Sequence, residues 1–197
     1  MDRDQEARII REEWFANHVA TLTQCGDMQV FNWRKPGTSM YAVRYVFDRH
    51  YMYITGDIGV ATFELSWKAD VHSFNGVFRD YFHKKLKACT DDKWSFCNEK
   101  AIRGLREWLK DLKERKRKYD HDEMQQLFEK ARECSSESGW AHVVNSHYAF
   151  ISELDQDFTE WMYSAGNVIP IEVHAYLIGL QMASSQLKSR ESEQCGT

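Results

Sequence analysis

The chain has 197 residues, with 26 Lys and Arg side chains against 30 Asp and Glu, so its formal net charge is −4. Hydrophobic residues make up 43% of the sequence and aromatic residues 14%, which excludes a disordered protein because such a composition supplies a core. Two prolines and ten glycines are too few for a many-turned β-sandwich or barrel. No apolar run is long enough to cross a membrane, and the first residues are charged, so we expect a cytoplasmic protein.

The N-terminal part of the chain predicts a helix followed by a sheet. Apolar residues spaced three or four apart predict an amphipathic helix over residues 3–22. The next segments alternate and are rich in β-branched and aromatic residues, which predicts strands at 30–33, 41–47, 51–55 and 60–67. Gly, Pro and Asp between these segments predict turns. Together they predict a small antiparallel sheet of three to four strands.

Beyond residue 72 the apolar spacing is helical throughout. Residues 101–112 form a clear apolar stripe, and Asp120 with Glu123 resembles a capping box that begins another helix. Further helices are predicted to begin at Ser138, Ser152 and Pro170, with a helix end at Gly166. Small residues at spacing four predict a close-packing face on the last helix, formed by Ala175, Gly179 and Ala183.

These elements predict an α+β protein with an N-terminal helix, the small sheet and a helical C-terminal half. We find no linker, so the sequence predicts a single domain over residues 1–188 and a polar, flexible tail over 189–197.

Charge is strongly segregated along the chain. Residues 79–118 hold 14 basic and 7 acidic side chains, whereas residues 119–172 hold 2 basic and 11 acidic ones. Exposed carboxylates can imitate a nucleic-acid backbone, and this predicts a partner-binding surface formed by Glu129, Glu133, Glu153, Asp157 and Glu160. The alternatives left open are that the acidic residues serve solubility and that the basic run over residues 113–118 is a solvated helix end.

A second candidate is a nucleic-acid-binding module. On the predicted strand 41–47, Tyr45 and Phe47 share one face and Arg44 lies on the other, while Tyr51 and Tyr53 add to the aromatic side. Aromatic rings can stack on bases while guanidinium groups hold phosphates. The residues expected to bind nucleic acid are Arg34, Arg44, Arg115, Lys116, Arg117 and Lys118. The alternative is that the aromatic face is simply covered by helices.

Catalytic and metal-binding motifs are scarce. The eight histidines show no metal-ligand spacing, and the five cysteines include no C-x-x-C pair, so we expect no metal, no cofactor and no disulfide framework. Asp70 and His72 form the best local pair, since D-x-H on extended backbone shares one face. A small metal-dependent nuclease or nucleotide-processing enzyme around this pair is the third hypothesis, and a non-enzymatic protein is favoured.

Several segments carry a resemblance to a known family. Residues 31–38, 45–47 and 53–59, with Trp67, Asp70, 72–74 and 108–112, are similar to small accessory proteins of phages and integrated elements of Firmicutes. The resemblance covers most of the chain, and it implies an inhibitor of host defence, because accessory genes of these elements often encode such inhibitors. The implied partner is a bacterial defence protein such as a CRISPR effector, blocked at its nucleic-acid or effector surface in the host cytoplasm. The resemblance carries over no functional residue.

Overall fold

A computed structural model describes residues 3–90 and 92–195, and the protein is of the α+β class, as predicted. The sheet is larger than expected. Six strands follow one another in sequence order in one antiparallel sheet, and two short strands form a second sheet. The prediction of three to four strands therefore undercounts.

The strands of the large sheet are β1 Val19–Cys25, β2 Met28–Arg34, β3 Val43–Asp48, β4 Tyr51–Gly56, β5 Ala61–Glu64 and β6 Leu86–Cys89. Those of the small sheet are β7 Ser95–Phe96 and β8 Asn167–Val168. The α-helices are α1 Arg3–Ile9, α2 Arg79–Lys84, α3 Asn98–Glu114, α4 His121–Glu133, α5 Glu137–Ser146, α6 Tyr148–Leu154 and α7 Ile171–Cys195. A π-helical turn, Ile10–Trp14, continues α1, and two 3-10 turns lie at Phe158–Glu160 and Met162–Ser164.

The predicted helix over 3–22 is wrong in its second half. Helical structure ends at Trp14, and Asn17 adopts a left-handed conformation with φ of 62° that breaks any helix. The chain then enters β1. His18 and Leu22 match a helical stripe, but with Ala20 they also match the alternation of a strand, and pairing with β2 selects the strand.

The chain beyond residue 72 is also less helical than predicted. β6, β7 and β8 interrupt it, and two of these strands have only two residues each, too few for any alternation to be visible. β6 pairs with β5 across a register shift between Thr62 and Phe63. Long-range pairing with β5 creates this strand, because Lys-Ala-Cys has little strand preference of its own.

The described residues divide into two compact units. The first unit combines residues up to 93 with residues from 169 onward, and the second unit spans residues 94–168. The single domain over 1–188 therefore stays a prediction. Helix α7 continues through Cys195, so the backbone of residues 189–195 is helical where the sequence predicts a flexible tail.

In the first unit, α7 packs on one face of the large sheet, here called the inner face. Ala175 and Ala183 are fully buried, which confirms the predicted close-packing face. A Cβ at Gly179 would lie 2.6 Å from the Tyr45 hydroxyl oxygen and 3.3 Å from the Phe15 ring, so only glycine permits this approach. The Tyr45 hydroxyl donates to the carbonyl oxygen of Tyr176 at 3.0 Å, and its burial raises the pKa of Tyr45.

Side chains of α7 also bind the backbone of β1. The Gln186 side chain accepts from the Ala20 N–H at 2.7 Å and donates to the His18 carbonyl oxygen at 3.1 Å. Arg190 donates to the Ala20 carbonyl oxygen at 3.1 Å. At the start of this outermost strand, side chains of α7 therefore supply the backbone hydrogen bonds that a neighbouring strand would otherwise supply.

The second unit is built around helices α3, α4 and α5. The predicted N-cap at Asp120 is confirmed, since its carboxylate accepts from the N–H groups of Asp122 and Glu123 at 2.8 and 3.1 Å. The Glu123 side chain bonds to the His147 ring at 2.9 Å and does not complete a capping box. The predicted start at Ser138 is wrong, because Ser136 caps α5 by accepting from the Gly139 N–H at 3.1 Å.

Two further helix signals in the second unit are also wrong. Ser152 lies inside α6, where its hydroxyl donates to the Ala149 carbonyl oxygen, so it begins no helix. Gly166 has no positive φ and ends no helix in a left-handed cap. It is required instead by close packing, because a Cβ there would lie 2.1 Å from the Phe96 ring.

Two buried histidines and one partly buried histidine predict that the stability of the protein is sensitive to acid. Burial is the main cause that lowers the pKa of His18, His83 and His174 from the ordinary value of 6.5, although Glu6 opposes the shift at His174. The unfolded chain then binds more protons, so we expect the free energy of unfolding to fall as pH drops through about 6.5.

Urea denaturation at about pH 7.5 and 5.5 measures this effect above the range where carboxylates titrate. A His83→Gln variant should show a smaller loss between the two conditions than the unaltered protein. A free energy of unfolding that stays constant or rises toward acid would contradict the prediction.

Candidate functional site

The outer face of the large sheet, opposite α7, is the most distinctive surface of the first unit. Tyr45 pairs with Ile54 and Phe47 with Met52, and all four side chains are buried on the inner face. Their neighbours along the strands point the other way, because successive side chains alternate between faces. The outer face therefore carries Asn32, Arg34, Arg44, Val46, Tyr51, Tyr53 and Thr55.

Two tyrosines form a stacked pair on this outer face. The ring centroids of Tyr51 and Tyr53 lie 6.2 Å apart with an interplanar angle of 22°. The two residues remain 42% and 40% exposed, although large aromatic side chains usually bury most of their area. The pair thus offers two aromatic rings to a ligand.

Two arginines lie beside the tyrosines. Arg44 pairs with Asn32 on one side and with Thr55 on the other, and Tyr53 lies diagonally across from Arg44. Arg34 lies two residues beyond Asn32 on the same face, and both arginines are exposed. No carboxylate in the described part of the chain forms an ion pair with either guanidinium.

The carboxylates on this face lie toward its opposite end. Asp48 pairs with Tyr51, which pairs in turn with Glu64. Lys87 contacts Glu64 at 2.8 Å, and this hydrogen bond lowers the pKa of the Glu64 carboxyl. The outer face is therefore basic at the end of Arg34 and Arg44.

The structure corrects part of the sequence interpretation of this sheet. Tyr51 and Tyr53 do not extend the aromatic side of Tyr45 and Phe47, which is buried against α7 at Tyr45 and packs near Phe74 at Phe47. They lie on the face of Arg44. The register decides this, because Tyr53 pairs with Val46 rather than with Tyr45, and a register is not visible in a single strand's alternation.

The predicted basic run lies in the second unit, apart in the chain from Arg34 and Arg44. Helix α3 ends at Glu114, so the run over residues 113–118 begins in the last turn of the helix and continues into the loop that follows. Arg115 contacts Asp111 at 3.0 Å, and Lys116 adopts a left-handed conformation with φ of 55°. Lys116, Arg117 and Lys118 are exposed.

The five predicted acidic residues are all exposed in the second unit. Glu129 and Glu133 belong to α4, where Glu133 contacts Lys130 at 3.0 Å. The other three follow one another from α6 to the first 3-10 turn: Glu153, Asp157 and Glu160. Their exposure fits a binding surface. The positive charge of Lys130 partly offsets the negative charge of Glu133.

One residue of the predicted acidic set and two of the predicted basic set line one surface depression of about 380 Å³ within the second unit. Arg115, Arg117, Asp155 and Asp157 line it beside Trp108. Asp155 accepts from the Trp161 indole N–H at 3.1 Å. Opposite charges line the same depression, so neither sign dominates there.

The structure gives Asp70 and His72 separate bonding partners. The Asp70 carboxylate accepts from the His72 backbone N–H at 2.9 Å and from the Ser73 hydroxyl at 2.8 Å, as in an Asx turn. The His72 ring bonds to the hydroxyl of Ser184 at 2.8 Å, and Ser184 is fully buried. The two side chains are not bonded to each other, so the geometry shows no acid–base pair.

The described residues contain no cluster of three or more His, Cys, Asp or Glu side chains that could hold a metal ion. Within the same residues, no helix is both long and apolar enough to cross a membrane.

No protein-family model, curated protein or solved structure matches this chain.

Proposed function

We propose that the first unit binds single-stranded nucleic acid on the outer face of its six-stranded sheet. The observation that carries the proposal is the exposed, stacked pair Tyr51 and Tyr53 beside two exposed arginines that have no carboxylate partner among the described residues. The residues come from neighbouring strands whose pairing fixes their spacing.

The chemistry of the face favours single strands over duplexes. Unpaired bases can stack on exposed aromatic rings, whereas the bases of a duplex already stack on one another. Arg34 and Arg44 supply charge for the phosphates, and Asn32 and Thr55 offer polar groups for base edges or sugars. The basic end of the face would hold the backbone, and the tyrosines would hold the bases.

Fluorescence anisotropy with labelled single-stranded RNA, single-stranded DNA and a duplex of the same sequence tests the proposal. We expect tighter binding to a single strand. The double variant Arg34→Gln and Arg44→Gln should bind more weakly and depend less on salt, with the slope falling by about 0.7 for each lost phosphate contact.

The matched control is Arg103→Gln with Arg106→Gln, which removes the same charge from two exposed arginines of α3. These substitutions should leave affinity nearly unchanged. An equal loss in both double variants would show a nonspecific charge effect, and absence of single-strand binding would exclude the proposed function.

The five exposed acidic residues support a second candidate, an inhibitor that binds a bacterial defence complex such as a CRISPR effector. Capture of the tagged protein from lysate of a phage-susceptible host, with and without nuclease treatment, separates the two candidates. A defence protein retained after nuclease and released by charge reversal at Glu129, Glu153 and Glu160 would favour inhibition. Nucleic acid retained without a protein partner would favour the sheet.

A further inference from the structure

The two edges of the large sheet differ in their protection. β6 forms one edge and carries Lys87, whereas β1 forms the other. Residues 21–25 of β1, here called the open edge, are five consecutive exposed residues without charge: Thr, Leu, Thr, Gln and Cys. Natural sheet edges usually carry charge, proline or a bulge, which prevents pairing with another chain. The open edge has none of these, and its register with β2 is regular.

The available backbone groups on this edge can be assigned from the contacts of Ala20. Gln186 and Arg190 bond to the Ala20 N–H and carbonyl oxygen, so these groups point away from β2. Backbone groups alternate in direction along an antiparallel strand. The N–H and carbonyl groups of Leu22 and Gln24 therefore also point outward, and no described residue bonds to them.

We propose that two copies of this chain pair through their open edges, antiparallel and centred on Thr23. In this register Leu22 of each copy exchanges backbone hydrogen bonds with Gln24 of the other. Thr23 then faces Thr23 of the second copy, and Thr21 faces Cys25. Centring the pair on Leu22 would require the Ala20 groups, which α7 already occupies.

A second copy suits this edge better than a charged strand of another protein. The open edge has the same free groups on both sides of Thr23, so it is complementary to itself under a twofold axis. It has no charge, so pairing sets no like charges opposite each other. The pairing joins two six-stranded sheets and makes their outer faces continuous. It is independent of nucleic-acid binding and is tested without any nucleic acid.

Disulfide crosslinking tests both the pairing and its register. Facing Thr23 positions form a non-hydrogen-bonded pair with Cα atoms about 4.5 Å apart, which a disulfide can bridge. The variant Thr23→Cys with Cys25→Ser should therefore give a covalent dimer under mild oxidation. Thr21→Cys with native Cys25 should also crosslink. Thr21→Cys with Cys25→Ser is the matched control, and it should stay uncrosslinked because position 21 then faces serine.

Sedimentation velocity of the reduced, unaltered protein over a concentration series measures the association itself. We expect a dimer that Thr23→Lys dissociates and that Thr23→Gln, a variant of similar size without charge, weakens less. A monomer at every concentration would overturn the proposal. Equal crosslinking in the matched control would overturn the register and show random collision.

Discussion

Replacing both Tyr51 and Tyr53 with alanine should weaken binding of single-stranded nucleic acid by at least about 30-fold, because base stacking on an aromatic ring contributes about 1–3 kcal/mol per base. Both rings are exposed and stacked, so they are available to bases without any rearrangement. Anisotropy titration with a labelled single strand at fixed salt measures the loss. Circular dichroism of the variant confirms that the sheet remains folded.

Two further variants separate stacking from ordinary apolar contact. Tyr51→Phe with Tyr53→Phe keeps the aromatic rings and should keep most of the affinity. Tyr51→Leu with Tyr53→Leu keeps only apolar side chains and should lose it. Tyr148→Ala removes a tyrosine of similar exposure from the second unit and serves as the control. Equal affinity in the leucine and phenylalanine variants would mean that stacking does not hold the bases.

Trp140→Ala should lower the free energy of unfolding by about 3–5 kcal/mol, the range for removing a large aromatic side chain from a core. Trp140 is fully buried in the second unit, where it packs near Phe96 at a ring distance of 6.2 Å. Its indole N–H also donates to the Met162 carbonyl oxygen at 2.7 Å. Urea denaturation followed by far-ultraviolet circular dichroism measures the loss.

The variant Trp140→Phe divides this effect between packing and hydrogen bonding. It keeps an aromatic ring but removes the donor, so we expect a loss of about 1–3 kcal/mol from the lost hydrogen bond and the smaller side chain. The Met162 carbonyl oxygen keeps the Ala165 N–H as a donor at 3.1 Å. Tyr148→Ala, at an exposed position, should cost far less. A loss below about 1 kcal/mol for Trp140→Ala would contradict the buried role of this residue.

Strong local signals in the sequence predicted most of the sheet and one helix cap. The segments that became β2 to β5 alternate over several residues, and Asp120 begins its helix through contacts only two and three residues away. β1 was not predicted, because the spacing of its apolar residues fits both a helix and a strand. β6, β7 and β8 were missed because they are short and form only when distant strands pair with them.

The candidate site could be predicted only in part, for a related reason. Arg34 and Arg44 were identified from their chemistry, and the structure places both on the outer face. The partnership of Arg44 with Tyr53 depends on the register of β3 and β4, which is a property of two strands together. Pairing of Asp111 with Arg115, by contrast, follows from a helical spacing of four residues.

The last helix sets the order in which the protein can be completed during synthesis. The inner face of the sheet needs α7 to cover it, yet residues 94–168 are translated between the two. Until the ribosome has passed Arg190, the Ala20 backbone lacks two of its partners, and Tyr45 lacks the helix that covers it. The second unit, being continuous in the chain, can fold earlier. A stop codon after residue 168 would therefore spare the residues of the second unit and leave the sheet with its apolar inner face exposed.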